Sequence, residues 1–348
     1  MSGKYKSSAT VIPIAEAVGK VIAHDMTEIR AGQFKGPAFK KGHIITEEDL
    51  SHLRRLGKEH VYALRIEPGE LHEDDAALRL ATALAGPGVV FDPRPSEGKI
   101  SLKAAFKGLL KVHAEALTRF NLVSEVTCAS RHNNTLVAAG GIVAATRVIP
   151  LIADENLVNE AVRIAREAGG ILSVKKLSCL RTSMVITGNE VFHGLIEDKF
   201  APILRQKLQV LGCPVGDVFF APDDRLQIVQ RIRDSLEKGA QLLLVAGGMS
   251  VDPDDLSRTA ILDAGAEGVV YGTPVLPGAM FLYGRISHVP VLGIPACVLF
   301  FNATVLDLIL PRVLAGEAVT RKDLAAMAHG GLCLNCDVCR YPVCPFGK

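Results

Sequence analysis

Two glycine-bearing turns, each following an apolar run, carry the first chemistry legible in this sequence. Leu242-Leu243-Leu244-Val245-Ala246 leads into Gly247-Gly248-Met249-Ser250, and the run ending Met184-Val185-Ile186 leads into Thr187-Gly188-Asn189-Glu190. Glycines lack a Cβ, so backbone N–H groups there can approach an anion closely. Ser250 adds a hydroxyl donor at an expected helix start, and the turn reads as a phosphate cradle. A Gly-Gly pair after one strand is ordinary; a matching Thr187-Gly188 turn at the end of a partner strand gives it weight. A second chemistry lies in Cys333, Cys336, Cys339 and Cys344. Four thiolates so spaced can converge on one ion, as in structural zinc sites. The run also approaches the bacterial ferredoxin pattern, with one extra residue before its last cysteine. Zinc, an iron–sulfur cluster and a free redox-active tail are the three readings.

Elements able to position the two turns can be read from periodicity. Unbroken apolar runs bounded by glycine fit strands buried on both faces of an open α/β sheet. Residues 196–211 place Phe200, Ile203, Leu204, Leu208 and Leu211 on one helical stripe that Gly212 ends, and 226–236 repeats the pattern. Between them 215–221 reads as a strand leading to Pro222-Asp223-Asp224. Strand and helix in alternation predict a three-layer, mostly parallel sheet, whose strand carboxyl ends form a ligand crevice.

In order and spacing, Thr-Gly-Asn-Glu at 187–190, Asp223-Asp224, Gly-Gly-Met-Ser at 247–250 followed by Asp255, and Pro277-Gly278 resemble the molybdopterin-binding domain shared by molybdopterin adenylyltransferases and molybdotransferases. The resemblance covers about residues 178–315. It implies molybdopterin or molybdenum cofactor as ligand, held by Thr187, Gly188, Asn189, Gly247, Gly248, Met249, Ser250, Pro277, Gly278 and Pro295. It also implies that Glu190, Asp223 and Asp255 lie together in a catalytic role. Such carboxylates would hold magnesium, since hard cations choose oxygen ligands. The plainer reading makes Asp223 or Asp255 a helix N-cap, with Asp252 and Asp254 as solvated cap and turn residues. Where the family carries Gly-Leu-Pro-Gly-Asn-Pro, this chain has Gly293-Ile294-Pro295-Ala296-Cys297-Val298. Alanine takes positive φ only at a cost, and cysteine cannot make asparagine's hydrogen bonds. No amino-terminal segment matches the family's Asp-Gly-Tyr-Ala motif. The expectation is therefore a pterin-binding protein acting in cofactor maturation or delivery to a client molybdoenzyme or another cofactor-biosynthesis protein. One alternative is a molybdotransferase-type enzyme that hydrolyses adenylylated molybdopterin with magnesium and inserts molybdate. Another is a redox-responsive regulatory binding protein.

At 348 residues the chain exceeds one ordinary core, and its 49% hydrophobic and 22% charged residues are those of a globular protein. A net charge of +2 gives no basis for nucleic-acid binding. The first ten residues hold no apolar signal core, so a cytoplasmic location is expected, where eight cysteines argue against structural disulfides. The apolar stretch 289–306 is interrupted by Pro290, Gly293, Pro295 and Asn302; it reads as a strand and a helix (297–310), with no membrane span. Homo-oligomerisation is compatible with everything above.

Four regions are expected: an α+β subdomain at 1–67, an α+β linker subdomain at 68–175, the molybdopterin-binding domain at 176–318 and a cysteine-rich tail at 319–348. The first should hold strands at 18–23 and 60–64 and a helix at 47–56 opened by Thr46 and Asp49. Residues 34–43, with three lysines and His43, read as a solvated turn or an anion-binding loop. The second should hold helices at 73–84, 102–120 and 156–168, a proline-rich connector at 87–99, strands at 122–127, 136–139 and 142–149, and a turn at Asn133-Asn134.

Overall fold

The computed structural model describes residues 10–30, 34–63 and 66–348; Leu64, at the end of the strand expected over 60–64, lies outside the described residues, as does the chain before Thr10. Contacts divide the chain into two units, 1–133 with 137–174, and 134–136 with 175–348.

In the first unit a four-stranded antiparallel sheet runs in the order Val89–Phe91, Lys99–Ala104, Ile142–Val148, Val126–Ser130. Helices Glu73–Leu84 and Glu155–Glu167 cover it, capped by the side chains of His72 and Asp154. Their apolar stripes, including Leu80, Leu84, Val158 and Ala165, close a core with Leu102, Val143 and Phe120. The helix expected over 102–120 is not formed. That stretch is the end of one strand, a second strand at Gly108–Val112 and a helix at Ala114–Leu122. Burial alternates from Ile100 through Leu102 to Ala104, so two short strands had mimicked one helical stripe. The helix running to Leu122 also delays the strand expected at 122 until Val126. The connector at 87–99 contributes an edge strand, Val89–Phe91.

Residues 18–23 form a single bridge, Val21 to Ile44, in place of the expected strand. Phe34–Phe39 is a strand paired with Met26–Arg30 where a loop was expected. Lys41 is paired with Asp74 at 2.6 Å and His43 with Asp49 at 2.7 Å, so both are committed to carboxylates. The helix Glu47–Arg55 has the expected Thr46/Asp49 capping box.

The second unit is an α/β fold on a six-stranded mixed sheet. Its strands are β1 (Thr182–Thr187), β2 (Val215–Ala221), β3 (Leu242–Ala246), β4 (Ala266–Tyr271), β5 (Leu282–Ile286) and β6 (Val289–Ile294), in the spatial order β2-β1-β3-β6-β5-β4. The first four in that order are parallel; β5 runs antiparallel to β6, and β4 antiparallel to β5, so β5 alone is reversed within this sheet. Every residue of β1 and β3 is buried. Met184, Ile186, Leu242, Leu244 and Ala246 meet helices α1 (Phe200–Leu211) and α4 (Val305–Leu314) on one face. Val185, Leu243 and Val245 meet α2 (Arg225–Glu237) and α3 (Ser257–Asp263) on the other. Alternating side chains each find a helix layer, so the strands read as continuous apolar runs.

Helix α1 starts at Phe200, because the Asp198 carboxylate accepts from the amides of Phe200 and Ala201. Helix α4 starts at Val305, later than the expected 297. Ala296–Leu299 is a separate 3-10 turn, and Thr304 with Asp307 caps the helix proper. Among the described residues no helix is long and apolar enough to cross a membrane.

Candidate functional site

Parallel pairing puts Thr182 opposite Leu242 and Ile186 opposite Ala246, so the chain leaves both strands at the same edge, with Thr187 beside Gly247. The Thr187 hydroxyl lies 3.0 Å from the Ser257 hydroxyl, and Gly248 accepts a backbone bond from Ser257 N at 3.2 Å. The two turns are thus tied to each other and to the first residue of α3. A Cβ on Gly247, whose φ is +95°, would collide with the Thr187 carbonyl, and one on Gly248 would sit 2.9 Å from Ser257 Oγ. Only glycine lets the second turn pass so close to the first.

Thr187 is buried at 3% exposure, so its hydroxyl serves this junction and does not face solvent. Met249 is likewise 3% exposed: its side chain packs on Gly293, and its carbonyl accepts from Tyr271 Oη at 2.8 Å. Burying a methionine stabilises by about 1.5–3 kcal/mol, which fixes the turn from below and leaves Ser250 and Asn189 exposed at its rim. Gly278, at φ +129°, packs against Val305, and Pro277 accepts a bond from Val305 N at 3.2 Å. Pro295 is buried ahead of the 3-10 turn.

On the other side of β1, Asn189 N donates to Asp223 Oδ2 at 2.9 Å, and Asp223 N donates to Asn189 Oδ1 at 3.1 Å. This reciprocal pair fixes the Asp223 carboxylate at the carboxyl edge of β1 and β2. Asp223 is not the cap of α2, because Asp224 performs that role through Gln227 N at 2.8 Å. Burial pushes the Asp223 pKa up, against the Asn189 N–H, and the nearby charges of Glu190, Asp254 and Asp255 push it further. Asp223 therefore feels the charges of Glu190, Asp255 and Asp254, and Asp254 is exposed, as the solvated reading of it expected. Asp255 also accepts from Asp252 N at 3.1 Å, closing its turn. The neighbouring cation, Arg225, is engaged by Asp263.

Sequence reasoning missed Ser257. Its signal was only a hydroxyl at a helix start seven positions past Ser250, which does not reveal a partner seventy residues away.

The cysteines lie apart from these turns. Cys333 and Cys344 are half-buried against the core, while Cys336 and Cys339 are exposed; all four line one cavity of about 80 Å³. Among the described residues no three carboxylate, imidazole or thiol groups already stand at metal-holding distance.

Residues 183–320 match the family described as "Probable molybdopterin binding domain". That segment is a molybdopterin-binding domain. The molybdopterin-binding domain contains all three acidic positions and both glycine turns, and the four tail cysteines lie beyond it. Residues 11–65 match a separate domain of unknown function, DUF8806. A CinA-like protein of Thermosipho melanesiensis is 37% identical over 83 residues, 24% of this chain and 20% of that protein. A molybdenum cofactor biosynthesis bifunctional protein of Chlorobaculum tepidum is 25% identical over 155 residues, 36% of this chain and 49% of that protein. A molybdopterin molybdenumtransferase of Synechococcus elongatus is 26% identical over 142 residues, 38% of this chain and 35% of that protein. The matched regions thus span from about a fifth to a half of the length of these relatives. A molybdopterin biosynthesis protein from Pyrococcus horikosii overlaps 88% of this chain and 75% of its own at 14% identity, with a TM-score of 0.33.

Proposed function

We propose that the crevice at the carboxyl edge of the β2-β1-β3-β6 strands binds a phosphorylated pterin of the molybdopterin type, and that the protein acts in maturation or delivery of molybdenum cofactor. The observation that carries the reading is the junction of Thr187, Gly247, Gly248 and Ser257 beside Asp223. It sets a glycine turn able to approach an anion at the same sheet edge as Asp223, whose charge Glu190, Asp254 and Asp255 oppose. Phosphate at the glycines and carboxylates alone would repel one another. A hard divalent cation between them resolves the repulsion. Glu190, Asp223, Asp254 and Asp255 carry the oxygens that would meet it, although among the described residues no three of them stand ready-placed as a metal site; burial and its acidic neighbours hold Asp223 above its usual range. Bound there, magnesium would supply charge neutralisation and would order the phosphate. Ser250 and the backbone of Gly247 and Gly248 would hold the anion, and Asn189 would keep Asp223 in place.

The test is direct binding of molybdopterin and adenylylated molybdopterin with and without magnesium. Binding in the low-micromolar range or tighter, weakened at least tenfold by Ser250→Ala combined with Asp223→Asn, supports the proposal; equal affinity in the double variant overturns it.

The carboxylate cluster also favours a catalytic reading, in which the same residues promote hydrolysis of the adenylyl bond before molybdate insertion. Adenylate release in the same assay selects it. Binding without release leaves a carrier, the outcome favoured by the Ala296–Cys297 departure, which forms a 3-10 turn instead of a glycine–asparagine loop.

A further inference from the structure

Residues 330–347 form a closed arc. Gly347 N donates to Gly330 O at 2.9 Å, so the arc's ends are stitched together. Phe346 is buried in the core, and Tyr341 Oη donates to the Asp307 carbonyl at 3.1 Å, fixing the returning limb. The outgoing limb is fixed by Leu276 N to Gly331 O and Cys333 N to Leu276 O, both 2.8 Å, around a parallel bridge from Leu276 to Leu332. Between these anchors no helix or strand runs, and Leu334, Val338 and Val343 stand 66–81% exposed. Apolar burial therefore does not hold the middle of the arc. Its four cysteines nonetheless line one cavity, two from the anchored limbs and two from the free crest.

We propose that Cys333, Cys336, Cys339 and Cys344 hold one thiolate-ligated metal centre, a zinc ion or an iron–sulfur cluster, and that its binding fixes the 276–278 segment at the domain's carboxyl edge. Both occupants ask for the same chemistry, four deprotonated thiols converging from a short loop. Ligation releases the thiol protons and draws the crest cysteines, Cys336 and Cys339, onto the anchored pair. The link outward is the Cys333 amide. It donates to Leu276 O, immediately before Pro277 and Gly278, so ordering Cys333 orders that segment as well. This assignment does not depend on the pterin reading.

The full-length chain, purified anaerobically, should carry about one zinc per chain, or iron with acid-labile sulfide and visible absorption; the two outcomes distinguish the occupant. Cys336→Ser and Cys339→Ser, at exposed positions, should each lower metal content at least fivefold with an unchanged far-ultraviolet circular dichroism spectrum. Cys179→Ser, an exposed cysteine outside the arc, should keep it. Stripping the metal with a chelator should raise hydrogen exchange at Gly347, Cys333 and Leu276 but not at Leu244 within β3. No metal in the purified protein and none after titration with zinc would overturn the site, as would a Cys336→Ser variant that loads like wild type. Unchanged exchange at Leu276 on stripping would overturn the link to the 276–278 segment.

Discussion

The hydroxyls of Thr187 and Ser257 face each other at 3.0 Å in a buried junction, 3% and 0% exposed, where the glycine turn after β3 crosses the turn after β1. Removing one partner leaves the other buried and poorly paired, because the remaining contact of Thr187 Oγ1, to Ala246 O, is 3.5 Å. Ser257→Ala should cost about 1–2 kcal/mol in denaturant unfolding. It should also weaken pterin binding, since it loosens the turn that carries Gly248. A variant that loses no stability would show the hydroxyl pair to be incidental.

Gly247→Ala should be worse. The added Cβ runs into the Thr187 carbonyl at a backbone conformation that alanine adopts only with strain. The expected result is a loss of about 2 kcal/mol or more, or a folded protein with the turn displaced and binding abolished. Gly212→Ala provides the contrast: its φ is also positive, but a Cβ there meets open space, so it should cost only about 1 kcal/mol.

Asp223 sets a pH dependence whose sign follows from its raised pKa. A carboxyl that binds its proton more tightly folded than unfolded loses stability as pH rises from the unfolded value of 3.8 through the higher folded one. Asp223→Asn keeps an oxygen for the Asn189 amide and removes the charge. The variant should therefore unfold at a higher temperature than wild type at pH 7 and at nearly the same temperature near pH 3. Magnesium should raise the wild-type midpoint at pH 7, lose that effect as pH falls through the carboxylate range, and leave Asp223→Asn little changed. Thermal unfolding at three pH values with and without magnesium reads all of this.

Arg312, 8% exposed, pairs with Glu317 at 2.9 Å and Asp323 at 2.7 Å at the end of α4. Burial opposes the Asp323 charge, but the Thr320 hydroxyl and Arg312 prevail and hold its pKa at about 2. Arg312→Ala should destabilise by about 3 kcal/mol, because it strands carboxylates beside a buried void, and Arg312→Met by clearly less. The Asp323 contribution is present above the unfolded value of 3.8 and fades as pH falls toward 2. The wild-type advantage over Arg312→Ala should shrink in the same window.

Thiol reactivity should follow burial. Cys128, pushed up to about 12 by burial, should resist alkylation in the native protein at pH 8. In metal-stripped protein, exposed Cys179, Cys336 and Cys339 should be modified first. Peptide mapping after a brief alkylation pulse checks the order.

Several of these features could be read from letters alone because they depend on local rules. β1 and β3 announce themselves as unbroken apolar runs, since helices bury both faces of the sheet. The capping box at Thr46 and Asp49 is a four-residue pattern, and it forms. Residues 102–120 failed for the same reason that others succeeded. Spacing over a short window cannot separate one helix from two strands and a turn when the partner strand lies forty residues away, at Ile142–Val148.

The sequence by itself determined an α/β unit over the carboxyl-terminal half, two glycine turns at strand ends, and a four-cysteine run, because periodicity, missing Cβ atoms and spacing are properties of the local chain. Only the tertiary structure decided which oxygens meet. It left Asp223 free by letting Asp224 cap α2, set the charge of Asp254 to bear on Asp223, and paired the Thr187 hydroxyl with that of Ser257. Charges and hydroxyls act over a few ångströms of space, and sheet pairing brings together side chains that chain order holds far apart.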